Sequence, residues 1–375
     1  MSSSKPDAAH FHVLDFYRYV AAVGIVVFHF SAYLPVGNGS LVGVVSRLQL
    51  LVDFFFILSG FVIMHVYGAR MNSMTDYGVY LRKRLARLYP LHVLTLALYV
   101  LLAIGAAYGA LSIENPDRYS ADGFVPNVLL IHAWGSLDKL TFNYPSWSIS
   151  AEFFVYLLFP LLLLATRRFG EVKCLALAVL LAILIAALFN LGGGKTWTRA
   201  TYEFGCFRAL PSFFAGMAIY VLATGRFGNL SVPRWLGFSS GLVPLALIVM
   251  GATDEIIIIA LAALVFLTAR MELSARTPPL SRRPYRTLGN ASYGVYLLHP
   301  LVATGVFRVV PSILEVEGAW MFALAGFGVV LTTMAGVLSY HFFEDPMRRL
   351  LSAGIHSPQL RKKPFTASSE RILGA

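Results

Sequence analysis

Long apolar runs separated by short polar stretches dominate the sequence. Apolar runs of about 17–25 residues are typical of α-helices that cross a bilayer. The pattern predicts ten such spans, at 13–34, 48–67, 88–109, 146–166, 172–190, 206–223, 235–251, 254–270, 290–311 and 319–343. A further apolar piece, Phe124 to Trp134 in loop 110–145, is too short to span, which predicts a re-entrant or interfacial segment. The predicted fold class is therefore an all-α integral membrane bundle of about ten transmembrane helices.

Composition and charge support a membrane protein and predict its orientation. Hydrophobic residues make up 57% of the chain and charged residues only 13%, which excludes a single soluble core. The net charge of +11 lies mostly in alternate loops, so it indicates a positive-inside bias rather than a nucleic-acid surface. With both termini cytosolic, 22 of the 30 Lys and Arg fall in inside segments and six in outside segments. We therefore expect both termini in the cytosol.

The chain is predicted to form one membrane domain at 13–349, with a cytosolic segment at 1–12 and a basic cytosolic tail at 350–375. The polar start and the long first apolar run predict no cleavable signal peptide. Cys174 and Cys206 lie near the ends of adjacent predicted spans, and they predict neither a disulfide nor a metal site.

Two ionisable residues interrupt the first span. Arg18 and His29 are eleven positions apart, so on a helix they differ by only ~20° in direction and ~16 Å in height. Ionisable groups inside a membrane are costly and usually line a cavity or path. The structural alternatives are that Arg18 extends to the near surface and that His29 makes an ordinary interhelical hydrogen bond. We favour the surface alternative for Arg18 by itself, and a functional role for His29.

Two carboxylates are predicted at a depth similar to that of His29. Asp53 and Glu152 each lie roughly 8–9 Å below the outer end of their spans. A carboxylate beside an imidazole orients it and raises its basicity, which suits a general base that acts on a hydroxyl. The alternative is that both are helix N-terminal charges stabilised by the helix dipole. The sequence does not decide between Asp53 and Glu152 as the orienting group.

The cytosolic face carries a different chemistry, in the segment RKRLARLYP at 82–90. Arg84 and Arg87 are three apart and share a helix face, just before a break expected near Pro90. Two guanidinium groups on one face suit phosphate oxygens. The alternative is that they are ordinary positive-inside anchors.

Further polar groups lie within or near the predicted spans. His299 precedes Pro300 at mid-membrane in span 9, where the favoured interpretation is a satisfied packing histidine. Pro300 removes a backbone donor and frees the carbonyl of Tyr296, and Pro160 and Pro211 predict similar breaks in spans 4 and 6. Arg208, near the outer end of span 6, is predicted to be interfacial, with a substrate contact as the alternative.

In combination these motifs resemble the acyltransferase-3 family of bacterial membrane O-acyltransferases. The resemblance covers Leu14 to about Arg349, and its elements occur in the family's order. They are Arg18-x10-His29, VDFFFILSGF at 52–61, RKRLARLYPL at 82–91, WSISAEFFVYLLFP at 147–160, LGNASYGVYLLHP at 288–300 and FFEDP at 342–346.

The resemblance implies ten spans in the bacterial inner membrane and no permanently bound cofactor. It implies cytosolic acyl-CoA as donor, most often acetyl-CoA, and a hydroxyl of a surface polysaccharide or lipid-linked glycan as acceptor. By this match His29 is the catalytic base, Arg84 and Arg87 hold the donor, and Arg18 and Glu152 are the remaining essential polar residues. Some members carry a C-terminal extracytoplasmic hydrolase-like domain, and the short tail here predicts a version without one.

Two other functions use the same residues differently. A transporter or flippase for glycolipids or acyl groups would use the buried charges as a substrate path without chemistry. No obvious inverted repeat supports it in the sequence. A non-catalytic scaffold would leave His29, Asp53 and Glu152 unexplained.

Overall fold

The computed structural model of the chain describes residues 10–35, 40–109, 115–193, 196–274 and 282–354. Most of the predicted N-terminal segment, and the tail from 355 onward, lie outside these residues. Within them the chain is helical, without strands. The helices are α1 His12–Phe30, α2 Ser40–Arg47, α3 Leu51–Tyr67, α4 Met74–Ala107, α5 Phe124–Val128, α6 Trp147–Phe169, α7 Glu171–Leu191, α8 Gly205–Thr224, α9 Arg234–Ser239, α10 Leu242–Met250, α11 Asp254–Ser274, α12 Arg282–Thr304, α13 Val310–Leu314, α14 Trp320–Ser339 and α15 Asp345–Ser352.

Nine helical stretches of the described chain are long and apolar enough to cross a membrane. They correspond to nine of the ten predicted spans, and the all-helical, multi-pass class is confirmed. The remaining predicted span, 235–251, is a shorter apolar stretch made of α9 and α10. It runs antiparallel to α11: Gly237 lies against Met271 near the end of α11, whereas Gly251 directly precedes its start. This stretch therefore extends along most of the length of a spanning helix, although it is broken in the middle.

The proline breaks expected from the sequence do not form. Pro90, Pro160, Pro211 and Pro300 all lie inside continuous helices. A proline removes one backbone hydrogen bond, and neighbouring helices can compensate for that loss in a membrane protein. On either side of Pro90, tyrosine hydroxyls anchor α4: that of Tyr293 donates to the Leu88 carbonyl and that of Tyr89 to the Val128 carbonyl.

Close packing of small residues organises the centre of the bundle. A Cβ on Gly60 of α3 would lie 1.9 Å from the Phe213 carbonyl oxygen, and one on Gly216 of α8 would lie 1.9 Å from that of Ile57. The two backbones therefore touch at reciprocal glycines, which is typical of helix pairs in membranes. In contrast, α7 and α10 expose many leucine, isoleucine and valine side chains, as expected of lipid-facing helices.

The loop between α4 and α6 folds back as a short helix and turns, and it is not a spanning segment. Buried polar residues hold it in place. The Asn127 side-chain amide donates to Thr141 Oγ1 at 2.7 Å, and the backbone carbonyl oxygen of Asn127 lies 2.9 Å from His92 Nε2. His132 Nε2 bonds to Ser146 Oγ, and burial lowers the pKa of this imidazole to about 3. The neutral ring fixes the residues that lead into α6, on which part of the site lies.

Candidate active site

A cavity of about 120 Å³ with both apolar and polar lining residues lies between α1, α3, α4, α6 and α12. The polar and aromatic residues that line it include Arg18, Ser59, Arg84, Arg87, Ser148, Glu152, Tyr156, Ser292, Tyr293 and Tyr296. Four of the six predicted site residues, Arg18, Arg84, Arg87 and Glu152, are therefore brought together from three helices. Neither Asp53 nor His29 is among the lining residues.

Aromatic rings and not carboxylates hold Arg84. Its guanidinium carbon lies 5.4 Å from the ring centre of Tyr67 and 5.8 Å from that of Tyr156. Its Nε is buried without a hydrogen-bond partner in the described residues. A ring face attracts a cation but does not neutralise it, so this guanidinium can still bind an anion.

The other two arginines are anchored mainly to carbonyl oxygens of α12. Arg18 Nε donates to the Gly289 carbonyl at 3.1 Å, and its Nη2 to Asp15 Oδ1 at 2.9 Å. Arg87 Nη2 donates to the Asn290 carbonyl at 3.3 Å. The interpretation of Arg18 as a surface-reaching side chain is therefore wrong, because it faces the cavity. Each anchor leaves part of a five-donor guanidinium group for the cavity.

Glu152 accepts two hydroxyl hydrogen bonds within the cavity, from Ser59 Oγ at 2.7 Å and from Tyr156 Oη at 2.5 Å. It makes no hydrogen bond to His29 in the described structure. Ser59 and Tyr156 are site residues that were not predicted from the sequence. Tyr156 follows Glu152 by four positions on one helix, and this spacing places the two side chains on the same face.

His29 lies near the opposite end of α1 from Arg18, ~16 Å along the helix axis. Its ring lies 4.9 Å from those of Tyr144 and His299, and its own neighbour Phe28 is at 4.7 Å. The side chain is half-buried. The site thus has two zones, a cationic cavity and an imidazole surrounded by rings, as the spacing of Arg18 and His29 indicates.

Asp53 is bonded to Arg208, and it makes no hydrogen bond to His29 within the described residues. Arg208 Nη2 donates to Asp53 Oδ2 at 2.7 Å, and the two side chains are 1% and 0% exposed. The Arg208 guanidinium also lies 5.2 Å from the Trp147 ring centre. The prediction of an interfacial Arg208 is wrong, because the ion pair draws it inside. The predicted catalytic role of Asp53 remains a prediction, and the structure offers an ion pair in place of the expected contact.

His299 is fully buried and stacks on His29 with an angle of 20° between the rings. Its Nδ1 lies 2.6 Å from the Tyr296 carbonyl oxygen, whereas its Nε2 is buried without a partner in the described chain. The interpretation as a satisfied packing histidine therefore holds for only one of its two nitrogens.

Comparison with known proteins places the chain in a family. The family model described as "Acyltransferase domain", of the acyltransferase-3 type, matches residues 11–340. The chain is 27% identical to "Acyltransferase MdmB" of Streptomyces mycarofaciens, over 89% of this chain and 90% of that protein. It is 25% identical to "Putative peptidoglycan O-acetyltransferase YrhL" of Bacillus subtilis, over 89% of this chain and 54% of that protein. No solved structure matches.

The family match covers most of the chain, including both zones of the site. The helical stretches supply the membrane-spanning architecture. The chain therefore belongs to the acyltransferase-3 family and is a multi-pass membrane acyltransferase.

Proposed function

We propose that this protein transfers an acyl group, with acetyl expected, from cytosolic acyl-CoA to a hydroxyl of an exported polysaccharide or lipid-linked glycan. The inner membrane of a bacterium is the proposed location. The observation that carries the proposal is the cavity in which Arg18, Arg84 and Arg87 converge beneath the ring-lined His29.

The donor end of the proposal rests on the three guanidinium groups. CoA carries several phosphates and does not cross membranes, so its nucleotide end needs a cationic site reached from the cytosol. Guanidinium groups bind phosphate oxygens in a forked geometry, and Arg84 and Arg87 have no ion-pair partner within the described residues. An extended pantetheine arm would carry the thioester from this cavity toward His29, a distance well within the ~30 Å hydrocarbon core.

The chemical step needs a group that accepts the proton of the attacking hydroxyl. We assign this role to His29, because a neutral imidazole is the usual general base of such reactions. As the hydroxyl oxygen bonds to the thioester carbonyl carbon, its proton moves to the imidazole. The carbon–sulfur bond then breaks, and the imidazole returns the proton to the leaving thiolate. The products are the ester and CoA with a free thiol, so no further reactant is required.

In this proposal Glu152 belongs to the cationic cavity, which binds the acyl donor. Its two hydroxyl bonds fix it on the cavity wall among the arginines, where it limits the positive charge and orders Tyr156 under Arg84. The printed names of the Streptomyces and Bacillus relatives support acyl transfer in general, and that of the Bacillus relative supports acetyl transfer to a glycan.

Acyl transfer by purified protein tests the proposal. The wild type, given radiolabelled acetyl-CoA with soluble peptidoglycan fragments and a panel of sugar glycosides, should release CoA and label an acceptor. The His29→Gln variant should lose ~10²–10⁴-fold in rate and keep acetyl-CoA binding, because only the base is removed. The rate of the wild type should also fall at acid pH, where a protonated imidazole accepts no proton.

His341→Gln is the matched control, because His341 is exposed and does not line the cavity, and its rate should equal that of the wild type. Near-normal turnover in His29→Gln would overturn the assigned mechanism. Movement of a labelled glycolipid across vesicles without CoA release would favour the transport alternative.

A further inference from the structure

His299, the α12 residue that stacks on His29, has a hydrogen-bond partner at only one of its two ring nitrogens within the described residues. His299 is 0% exposed, and its ring stacks on that of His29 with centres 4.9 Å apart. The other rings near it are those of Phe30, Tyr144 and Tyr296, in tilted or edge-on arrangements. His299 thus belongs to the zone of rings around His29. Its position in the sequence does not predict this contact.

Pro300 explains how this imidazole is held. In an uninterrupted helix the amide of residue 300 would bond to the carbonyl of Tyr296, but proline has no such N–H. The His299 side chain takes up this carbonyl, with Nδ1 at 2.6 Å from the oxygen. A carbonyl only accepts, so Nδ1 carries the proton. The neutral ring is therefore locked in one tautomer, and Nε2 is left as an acceptor.

This acceptor nitrogen has no donor in the described protein. His299 Nε2 is buried and lacks a hydrogen-bond partner. His29 does not provide one, since rings stacked at 20° do not direct an N–H of one into the ring plane of the other. A buried acceptor without a donor is destabilising, so a ligand that brings a donor would be favoured here.

The position of His299 connects it to both zones. Tyr296, whose carbonyl holds His299, also lines the arginine cavity one helical turn away. The Tyr296 hydroxyl is itself fixed, because it donates to the Pro145 carbonyl at 2.9 Å and accepts from Ser148. A donor arm that extends from the cavity to His29 must therefore pass Tyr296 and reach His299.

We propose that His299 Nε2 accepts a hydrogen bond from an N–H or O–H of a bound substrate, and so positions that substrate against His29. This inference rests on the proposed acyl transfer. The donor substrate offers the amide N–H groups of the pantetheine arm. The acceptor substrate offers a hydroxyl next to the one that is acylated. Either substrate would donate the same kind of hydrogen bond to His299 Nε2. Steady-state kinetics with each substrate distinguishes the two sources.

Steady-state kinetics of His299→Leu is the first part of the test. Loss of one neutral hydrogen bond corresponds to about a 10-fold rise in KM for the substrate that makes it. A rise for acetyl-CoA alone identifies the pantetheine amide, and a rise for the glycan alone identifies the hydroxyl. Unchanged KM and kcat for both substrates, in a variant with a wild-type gel-filtration profile, would reduce His299 to a packing residue.

Pro300→Ala keeps the His299 imidazole but removes the constraint that fixes its tautomer. This variant provides a second test if the His299→Leu protein does not fold. The restored amide of residue 300 would compete for the Tyr296 carbonyl, and the same KM should rise by about 3-fold. Pro211→Ala is the matched control, since Pro211 lies inside α8 and lines neither zone, and its KM values should equal those of the wild type.

Nitrogen-15 NMR of histidine-labelled protein tests the tautomer without activity. The wild type should show one Nδ1–H tautomer signal that is missing in His299→Leu and altered in Pro300→Ala. An Nε2–H tautomer at His299 would overturn the inference, even if acyl transfer is confirmed. Failure of the wild type to acylate any acceptor would instead overturn the proposed function and leave the tautomer result valid.

Discussion

The interior of this membrane protein contains two groups of charged side chains that are satisfied in opposite ways. In the pair of Asp53 and Arg208, opposite charges meet directly at 2.7 Å and are almost completely shielded from solvent. In the cavity, Arg84 and Arg87 instead meet aromatic rings and a backbone carbonyl. The charges of the first group are paired with each other, whereas the guanidinium groups of Arg84 and Arg87 form no ion pair within the described residues.

This difference distinguishes charged residues that stabilise the fold from charged residues that can bind a ligand. Residue type and depth in the membrane do not make this distinction by themselves. A buried ion pair costs desolvation energy that the attraction between its charges offsets, and removal of one partner leaves an unpaired buried charge. In this protein it links α3 to α8, whose backbones already touch at glycines. In the cavity Glu152 is one carboxylate among three arginines, so positive charge remains that an anion from outside can neutralise.

The largest expected effect comes from breaking the ion pair. Arg208→Ala leaves the Asp53 carboxylate buried and unpaired, which should cost about 3–5 kcal/mol of stability. Thermal unfolding in detergent and the yield of monodisperse protein measure this loss. The double change Asp53→Leu with Arg208→Met removes both charges and should recover most of the stability, to within about 1–2 kcal/mol. An Arg208→Ala protein as stable as the wild type would contradict the structural role.

The next effect concerns donor binding. Arg84→Ala combined with Arg87→Ala should weaken acetyl-CoA binding by about 100-fold, because two charge-assisted contacts are lost. The unfolding temperature without ligand should change little, since neither arginine has an ion-pair partner in the described chain. Arg82→Ala is the control: the same helix carries Arg82, but its side chain is exposed and outside the cavity. Unchanged affinity in the double variant would make Arg84 and Arg87 ordinary topology anchors.

A smaller loss of acetyl-CoA affinity is expected when Arg84 and Arg87 are replaced by residues that keep the positive charge but lack the planar guanidinium group. Arg84→Lys with Arg87→Lys should weaken acetyl-CoA binding by about 10-fold, because an ammonium cannot form forked contacts with phosphate. Equilibrium binding measured beside the alanine pair gives the comparison. Lysine variants that bind as weakly as the alanine variants would show that forked geometry, and not charge, supplies nearly all the affinity.

The sequence was a good guide to the overall fold, because apolar length directly reflects bilayer thickness. It was less accurate where neighbouring helices decide the outcome. Pro90, Pro160 and Pro211 suggested breaks, but helices continue through all three. The stretch at 235–251 has the composition of a span, yet a turn at Ser240 and Gly241 divides it into α9 and α10.

The candidate site could be predicted in part, for a physical reason. The relation of Arg18 to His29 and of Arg84 to Arg87 is set within single helices, so spacing was sufficient. The partner of Asp53 lies 155 positions away, and the contact of His299 with His29 also joins distant helices. Depth estimates placed Asp53, Glu152 and His29 together, but depth does not fix the direction in which a side chain points around the helix.

The most direct test of the central claim compares the binding of CoA with that of pantetheine, which has the same arm but no phosphates. The phosphates are expected to lie against Arg18, Arg84 and Arg87, so CoA should raise the unfolding temperature of the purified protein progressively as its concentration exceeds Kd, while pantetheine at equal concentration should raise it far less. In Arg84→Ala with Arg87→Ala, the two compounds should become nearly equivalent. Equal stabilisation of the wild type by CoA and pantetheine would contradict the claim that the arginine cavity binds the acyl donor through its phosphates.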